Sequence, residues 1–279
     1  MAGHTDRATV GALRVVVAVM LLGVGRTLQL DGSPVAQLWA QLIDRSAADF
    51  AALDRGVAWI MYGTAAVALI APRKGVWALA LLPSTIWLIL WPVARVLLAT
   101  DFAYALAPFT QGNRPLALLA LVFVWAAPPN LEGPRATERL LRWGVVAVFA
   151  SHGLEALLQH PRFIDYLMVS TARLTDVVMS REVAQLSVGV IGFVDVCVAV
   201  AVATRRSRAV LAWACFWGFA TAAMRLVYFG PTFGAHHCAV RAVNGGGALV
   251  MLLALRRRRS VGAPSAIEGR AQAGWGVAG

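Results

Sequence analysis

Apolar runs close to the length of a bilayer crossing recur eight times along this chain, and no other feature limits its fold so tightly. They lie near 12–30, 55–71, 76–99, 113–128, 140–158, 184–203, 209–229 and 239–255. About 20 apolar residues suffice for one helix to cross the hydrocarbon core. The fourth run is the shortest, and its start after "TQGNRP" is the least marked boundary. Composition agrees: 59% of residues are hydrophobic, 14% are charged, and the mean hydropathy is +0.68. A soluble domain with so little charge could not cover its surface. The sequence therefore predicts an all-α, polytopic membrane protein of about eight transmembrane helices.

A net charge of +11 is one that nucleic-acid binders also carry, but the placement of the charges argues for membrane orientation. Of 25 basic residues 24 are arginine, and most stand in short clusters between apolar runs. The clusters are Arg7 and Arg14, Arg73 and Lys74, Arg135, Arg139 and Arg142, Arg205, Arg206 and Arg208, and Arg256 to Arg259. They fall on alternate sides, as positive-inside placement requires. Both termini are expected in the cytoplasm of a cell whose plasma (inner) membrane holds the protein. The long loops 31–54 and 159–183, which carry Asp31, Asp44, Asp49, Asp54, Asp165, Asp176 and Glu182, are expected outside, Ser170 with them. The N-terminal run shows no small-residue cleavage site and reads as a retained first span. Three cysteines, Cys197, Cys215 and Cys238, form no CxxC pair, which argues against a dithiol centre or a cysteine-zinc site.

The two halves of the chain resemble each other. "LRVVVAVMLLGVGRTLQL" from Leu13 matches "LRWGVVAVFASHGLEALL" from Leu141, with Arg14 over Arg142 and Gly25 over Gly153. "WLILWPVAR" (Trp87 to Arg95) matches "WGFATAAMR" (Trp217 to Arg225), and Asn113 and Asn244 fall at similar places before the last span of each half. "LID" and "FID", at Asp44 and Asp165, recur in the outer loops ahead of helix-permissive sequence. Four spans per half is an even number, so the expected arrangement is two parallel four-helix repeats. The expected organisation is a first repeat over 1–127, a cytoplasmic linker over 128–139, a second repeat over 140–259 and a disordered tail over 260–279.

Ionisable residues within spans are costly in hydrocarbon, about 3 kcal/mol on insertion scales, and need a partner or a cavity. The second half holds more of them. His152, Glu155 and Gln159 share one helix face in the fifth run, and Asp195 sits mid-way along the sixth, with Gly192 leaving room for close approach. Arg225 and Tyr228 end the seventh, and His236, His237, Arg241 and Asn244 lead into the eighth. In one reading they are a structural network in which Arg225 pairs with Glu155 or Asp195. In the other, His152, Glu155, Asp195, Arg225, Tyr228, His236, His237 and Asn244 line an outward-facing polar pocket. No metal is expected, because adjacent residues such as His236, His237 and Cys238 point in different directions on a helix. Trp213, Trp217, Thr221 and Arg225 recur every four residues and read as a packing stripe.

The stretch "RWGVVAVFASHGLEALLQHPRFIDYL" resembles the first span of the DoxX-like membrane proteins, and "GVIGFVDV" resembles their second through Gly192 and Asp195. The resemblance covers the second half, about 120 residues, and extends weakly to the first through the repeat. It implies a four-helix unit, here duplicated, with His152, Gly153, Glu155 and Asp195 as the family-like positions. It also implies a membrane component of a quinone-linked or thiol-related redox system, with quinone as the cofactor and a soluble redox enzyme as a partner. The absence of a cysteine pair and the duplication depart from that pattern. The alternatives are a non-catalytic protein that binds or transports a small molecule, anion or lipid, and a membrane scaffold.

Overall fold

The structure, a computed structural model, describes residues 7–99, 102–126, 133–205 and 207–262. The described residues are helical, with thirteen α-helices and one short 3-10 turn at Ala47–Phe50. In the first half these are α1 (Arg7–Leu30), α2 (Pro34–Leu42), α3 (Ala51–Ile70), α4 (Gly75–Leu79), α5 (Leu82–Leu97), α6 (Phe102–Ala105), α7 (Ala107–Thr110) and α8 (Asn113–Ala126). The second half holds α9 (Gly133–Leu157), α10 (Pro161–Thr175), α11 (Arg181–Thr204), α12 (Arg208–Phe229) and α13 (Pro231–Gly262). Seven helical stretches are long and apolar enough to cross a membrane, with α4 and α5 counted as one; α8 is a shorter apolar helix of 14 residues.

Several boundaries differ from the sequence reading. α9 begins at Gly133, inside the expected linker 128–139, because "PRATERLLRW" has helix-forming residues that continue the apolar face. α13 begins at Pro231, eight residues before the eighth apolar run, and continues to Gly262, past the expected end of the second repeat. The remaining tail, 263–279, lies outside the described residues. The third span is broken at Ala80–Leu81, where Pro83 opens α5 in a first-turn position that needs no N–H partner. The "LID" and "FID" segments are not equivalent: Asp44 follows α2 with a positive φ of 53°, whereas Asp165 lies within α10.

α1 lies against α3, α8 and α13, while α9 lies against α8, α11 and α13. α12 packs along α13, and α4 along α8. α11 and α12 touch little, as do α3 and α5, so each half is splayed on one side. Arginines close many helix ends. Arg14 donates to the carbonyls of Ala68, Leu69 and Ala71 at the end of α3, at 2.6, 2.6 and 2.7 Å. Arg73 donates to Val124 O, in the last turn of α8, at 2.9 Å. A guanidinium there satisfies orphan carbonyls and meets the negative end of the helix dipole. These contacts, with Arg142–Glu138 at 3.2 Å, mark one end of the bundle. The opposite end carries α2 and α10.

Close crossings rest on small residues. Gly153 of α9 meets Gly192 of α11 so tightly that a Cβ on Gly192 would stand 2.7 Å from Gly153 O. Backbone approach of this kind is a common way for helices to associate where no hydrophobic force drives them together. Away from that seam, Leu186, Val190, Phe193, Cys197 and Val200 form an exposed stripe along α11 at helical spacing. In water such a stripe would be a liability; in a bilayer it faces lipid.

Candidate functional site

A cavity of about 280 Å³ lies between α9, α10, α11, α12 and α13. Val148, Phe149, Ile191 and Met224 give it apolar walls, and His152, Asp195, Arg225, Arg241 and Asn244 bring polar groups to it. Four of the eight residues singled out in the sequence thus meet at one cavity: His152, Asp195, Arg225 and Asn244. Glu155 stands behind the wall, its Oε2 3.1 Å from His152 Nδ1. Tyr228 is not a lining residue; its ring packs edge-on against Tyr166, with centroids 4.2 Å apart. His236 and His237 lie elsewhere on α13, against Asp31 at the end of α1.

The expected pairing of Arg225 with Glu155 or Asp195 is not formed. The guanidinium carbon of Arg225 lies 3.8 Å from the centroid of the Tyr166 ring, and its buried Nη1 has no hydrogen-bond partner. Glu155 is engaged by His152, and Asp195 has the Trp217 indole beside it, with a buried oxygen left unpartnered. The physical reason is α10. Read as part of an outer loop, the segment folds as a helix whose Phe163, Tyr166, Leu167 and Ser170 form one wall of the cavity. Tyr166 occupies the place at which a carboxylate was expected. Arg173 anchors α10 by donating to the carbonyls of Val227 and Tyr228 at 2.9 and 2.8 Å. Ser170, on this segment, is buried at 1% exposure. The signal for this helix was in the sequence: Phe163, Tyr166, Leu167 and Ser170 are spaced i, i+3, i+4, i+7.

Arg241 is also a wall residue, with Arg225, Arg114 and Arg95 all within its electrostatic reach. Arg95 ends α5 and Arg114 starts α8, so both come from the first half. Asn113 Nδ2 donates to Asn244 Oδ1 at 2.7 Å, a buried bond that joins the halves at this point. The spacing of 131 residues between its partners gave no local signal.

Asp31, His236 and His237 offer three ligand atoms within 4.8 Å of one another and could hold a cation. The sequence reading had no spaced partner for the two histidines; Asp31 supplies one, with Oδ2 at 3.3 Å from His236 Nε2 and 3.8 Å from His237 Nε2. Arg241 and Arg225 lie within electrostatic reach of His237 and oppose a dication there. The three cysteines are free, and Cys197 is exposed on the α11 stripe.

Comparison with protein-family models, with curated proteins and with solved structures gave no match. The fold and the site define a class: a polytopic helical membrane protein with a largely apolar, ligand-sized cavity among the helices of its second half.

Proposed function

We propose that this protein binds a small amphiphile in the α9–α13 cavity, on the outer side of a cell membrane, as a binding or transport protein. One observation carries the reading: the cavity has apolar walls with a few polar groups converging on it, the common make-up of small-molecule sites. The sparse contact between α11 and α12 supports entry from the side, out of the lipid. Orientation rests on the arginine-rich links at the opposite end.

We infer further that the halves are parallel repeats. Supporting this is the matched pairing of helices, α1 with α3 as α9 with α11, α4 with α8 as α12 with α13, and α1 with α13 as α9 with α8. On that alignment the cavity belongs to one half for a simple reason. Gly218, Ala220 and Thr221 line it on α12, and the matching residues of α5 are Leu88, Leu90 and Trp91. Leu88 and Trp91 are buried, filling the corresponding space.

The resemblance to DoxX-like proteins favours a second reading, a quinone-linked redox component. The His152–Glu155 pair supports it, since a cavity histidine hydrogen-bonded to a carboxylate can pass a proton. No cysteine pair supports the thiol-related version.

Thr221→Trp tests the primary reading by giving α12 the residue that α5 already has. Wild-type protein purified in mild detergent should retain a small amphiphile by mass spectrometry, and Thr221→Trp should lose it while remaining folded. Identical extracts from both would contradict the proposal. A retained quinone whose electrochemical midpoint shifts in Glu155→Gln would favour the second reading.

A further inference from the structure

We infer that the ligand's polar end is a phosphate or diphosphate group, held by Arg225 and Arg241 and drawn in by Arg95 and Arg114 behind them; this rests on the cavity reading above. Four arginines gather inside a membrane protein with no ion pair to a carboxylate among the described residues. Arg241 is within electrostatic reach of Arg225, Arg114 and Arg95, Arg114 of Arg95, and Arg225 and Arg95 of Arg162. Their hydrogen bonds are few and to neutral groups. Arg114 donates to Gln111 Oε1 at 3.0 Å, and Arg241 to His237 O at 3.5 Å. Arg225 Nη1 and Arg95 Nε are buried without partners.

The acids nearby are otherwise engaged. Asp31 meets the two histidines, Glu155 meets His152, and Asp195, the one carboxylate on the cavity wall, sits beside Trp217 rather than beside an arginine. Arginine does not readily shed its charge, and like charges at close quarters in a medium of low dielectric repel strongly. Arg114 adds to the cost by standing in the first turn of α8, at the positive end of the helix dipole. A chain that keeps four such groups together has an anion to put among them. Guanidinium forks match phosphate oxygens in pairs, and several forks suit a multiply charged head better than a single carboxylate. Only Arg225 and Arg241 line the cavity, so the head contacts these two, and Arg95 and Arg114 act through their field. The apolar walls then take the tail.

The test uses full-length protein in a neutral maltoside detergent and three probes: decyl phosphate, decanol and inorganic pyrophosphate. Decyl phosphate should bind at least tenfold more tightly than decanol, with an affinity that falls as salt rises. Arg241→Gln should remove that preference and leave the ligand-free protein at least as heat-stable as wild type, since it relieves repulsion. An arginine with a merely structural role would lower the melting temperature and leave the preference intact. Pyrophosphate binding as tight as decyl phosphate would keep the arginine site and make a free anion its occupant. Decanol binding as well as decyl phosphate to wild-type protein overturns the inference and spares the cavity reading, and this comparison stands even if the variant is not recovered. If none of the three binds, the cavity reading falls and the inference with it.

Discussion

Arg14, Arg73 and Arg173 each lay a guanidinium against helix-end carbonyls, whereas Arg225 lies on an aromatic face beside a cavity. Residue type alone does not separate these uses; position relative to the helix end does. A guanidinium over a ring, partly shielded from water, is worth about 1–2 kcal/mol. Tyr166→Leu and Arg225→Gln should therefore couple by about 1 kcal/mol in a double-mutant cycle on unfolding in detergent. Glu155→Gln and Arg225→Gln share no partner and should add to within about 0.5 kcal/mol. Coupling of Arg225 to Glu155 with none to Tyr166 would restore the carboxylate as its partner. His152, Asp195, Arg225 and Asn244 were legible as candidates because a polar group in an apolar run is conspicuous. Glu155, the partner of His152 one turn along α9, was legible with it; the partners of Arg225 and Asn244 were not, because each lies on another element: Tyr166 on a loop helix, Asn113 in the other half.

The spanning helices were readable because bilayer thickness fixes their length; most kept their place with shifted ends, while the third is broken at Ala80–Leu81 and the fourth is the short α8. α13 starts earlier than its apolar run because "PTFGAHHC" is helical without being apolar, a state that hydropathy does not register. α10 was missed because a 15-residue amphipathic segment between spans reads as loop unless its face is traced. Gly192, by contrast, was readable as a point of close approach, and its surroundings in the structure give a sharper expectation. Alanine at 192 would bring its Cβ to 2.7 Å from Gly153 O, while a Cβ at Gly63 meets nothing within 4 Å. Gly192→Ala should destabilise by about 1–3 kcal/mol, as overpacking does, and Gly63→Ala should change little. Equal melting temperatures for the two in detergent would mean that α9 and α11 do not cross on these glycines.

The two halves meet where α1 packs on α13 and α8 on α9, and the buried Asn113–Asn244 bond lies in that interface close to the cavity. One half supplies the cavity walls and Arg225 and Arg241; the other supplies Arg95 and Arg114. Both halves of the chain thus contribute to the candidate site, with bulky Leu88 and Trp91 buried in the first half and small Gly218 and Thr221 lining the cavity in the second. The central claim, that the second-half cavity holds an amphiphile, is tested most directly by photolabelling. A decyl phosphate carrying a diazirine at its tail end would be activated on protein in lipid nanodiscs, and the adducts mapped by mass spectrometry. The expected adducts fall at cavity residues between 148 and 170 and between 217 and 225, disappear when unlabelled decyl phosphate is added, and are missing in Thr221→Trp. Adducts confined to the exposed α11 stripe at Leu186, Val190 and Phe193, and indifferent to competitor, would show a lipid-facing surface instead of a site and would contradict the account.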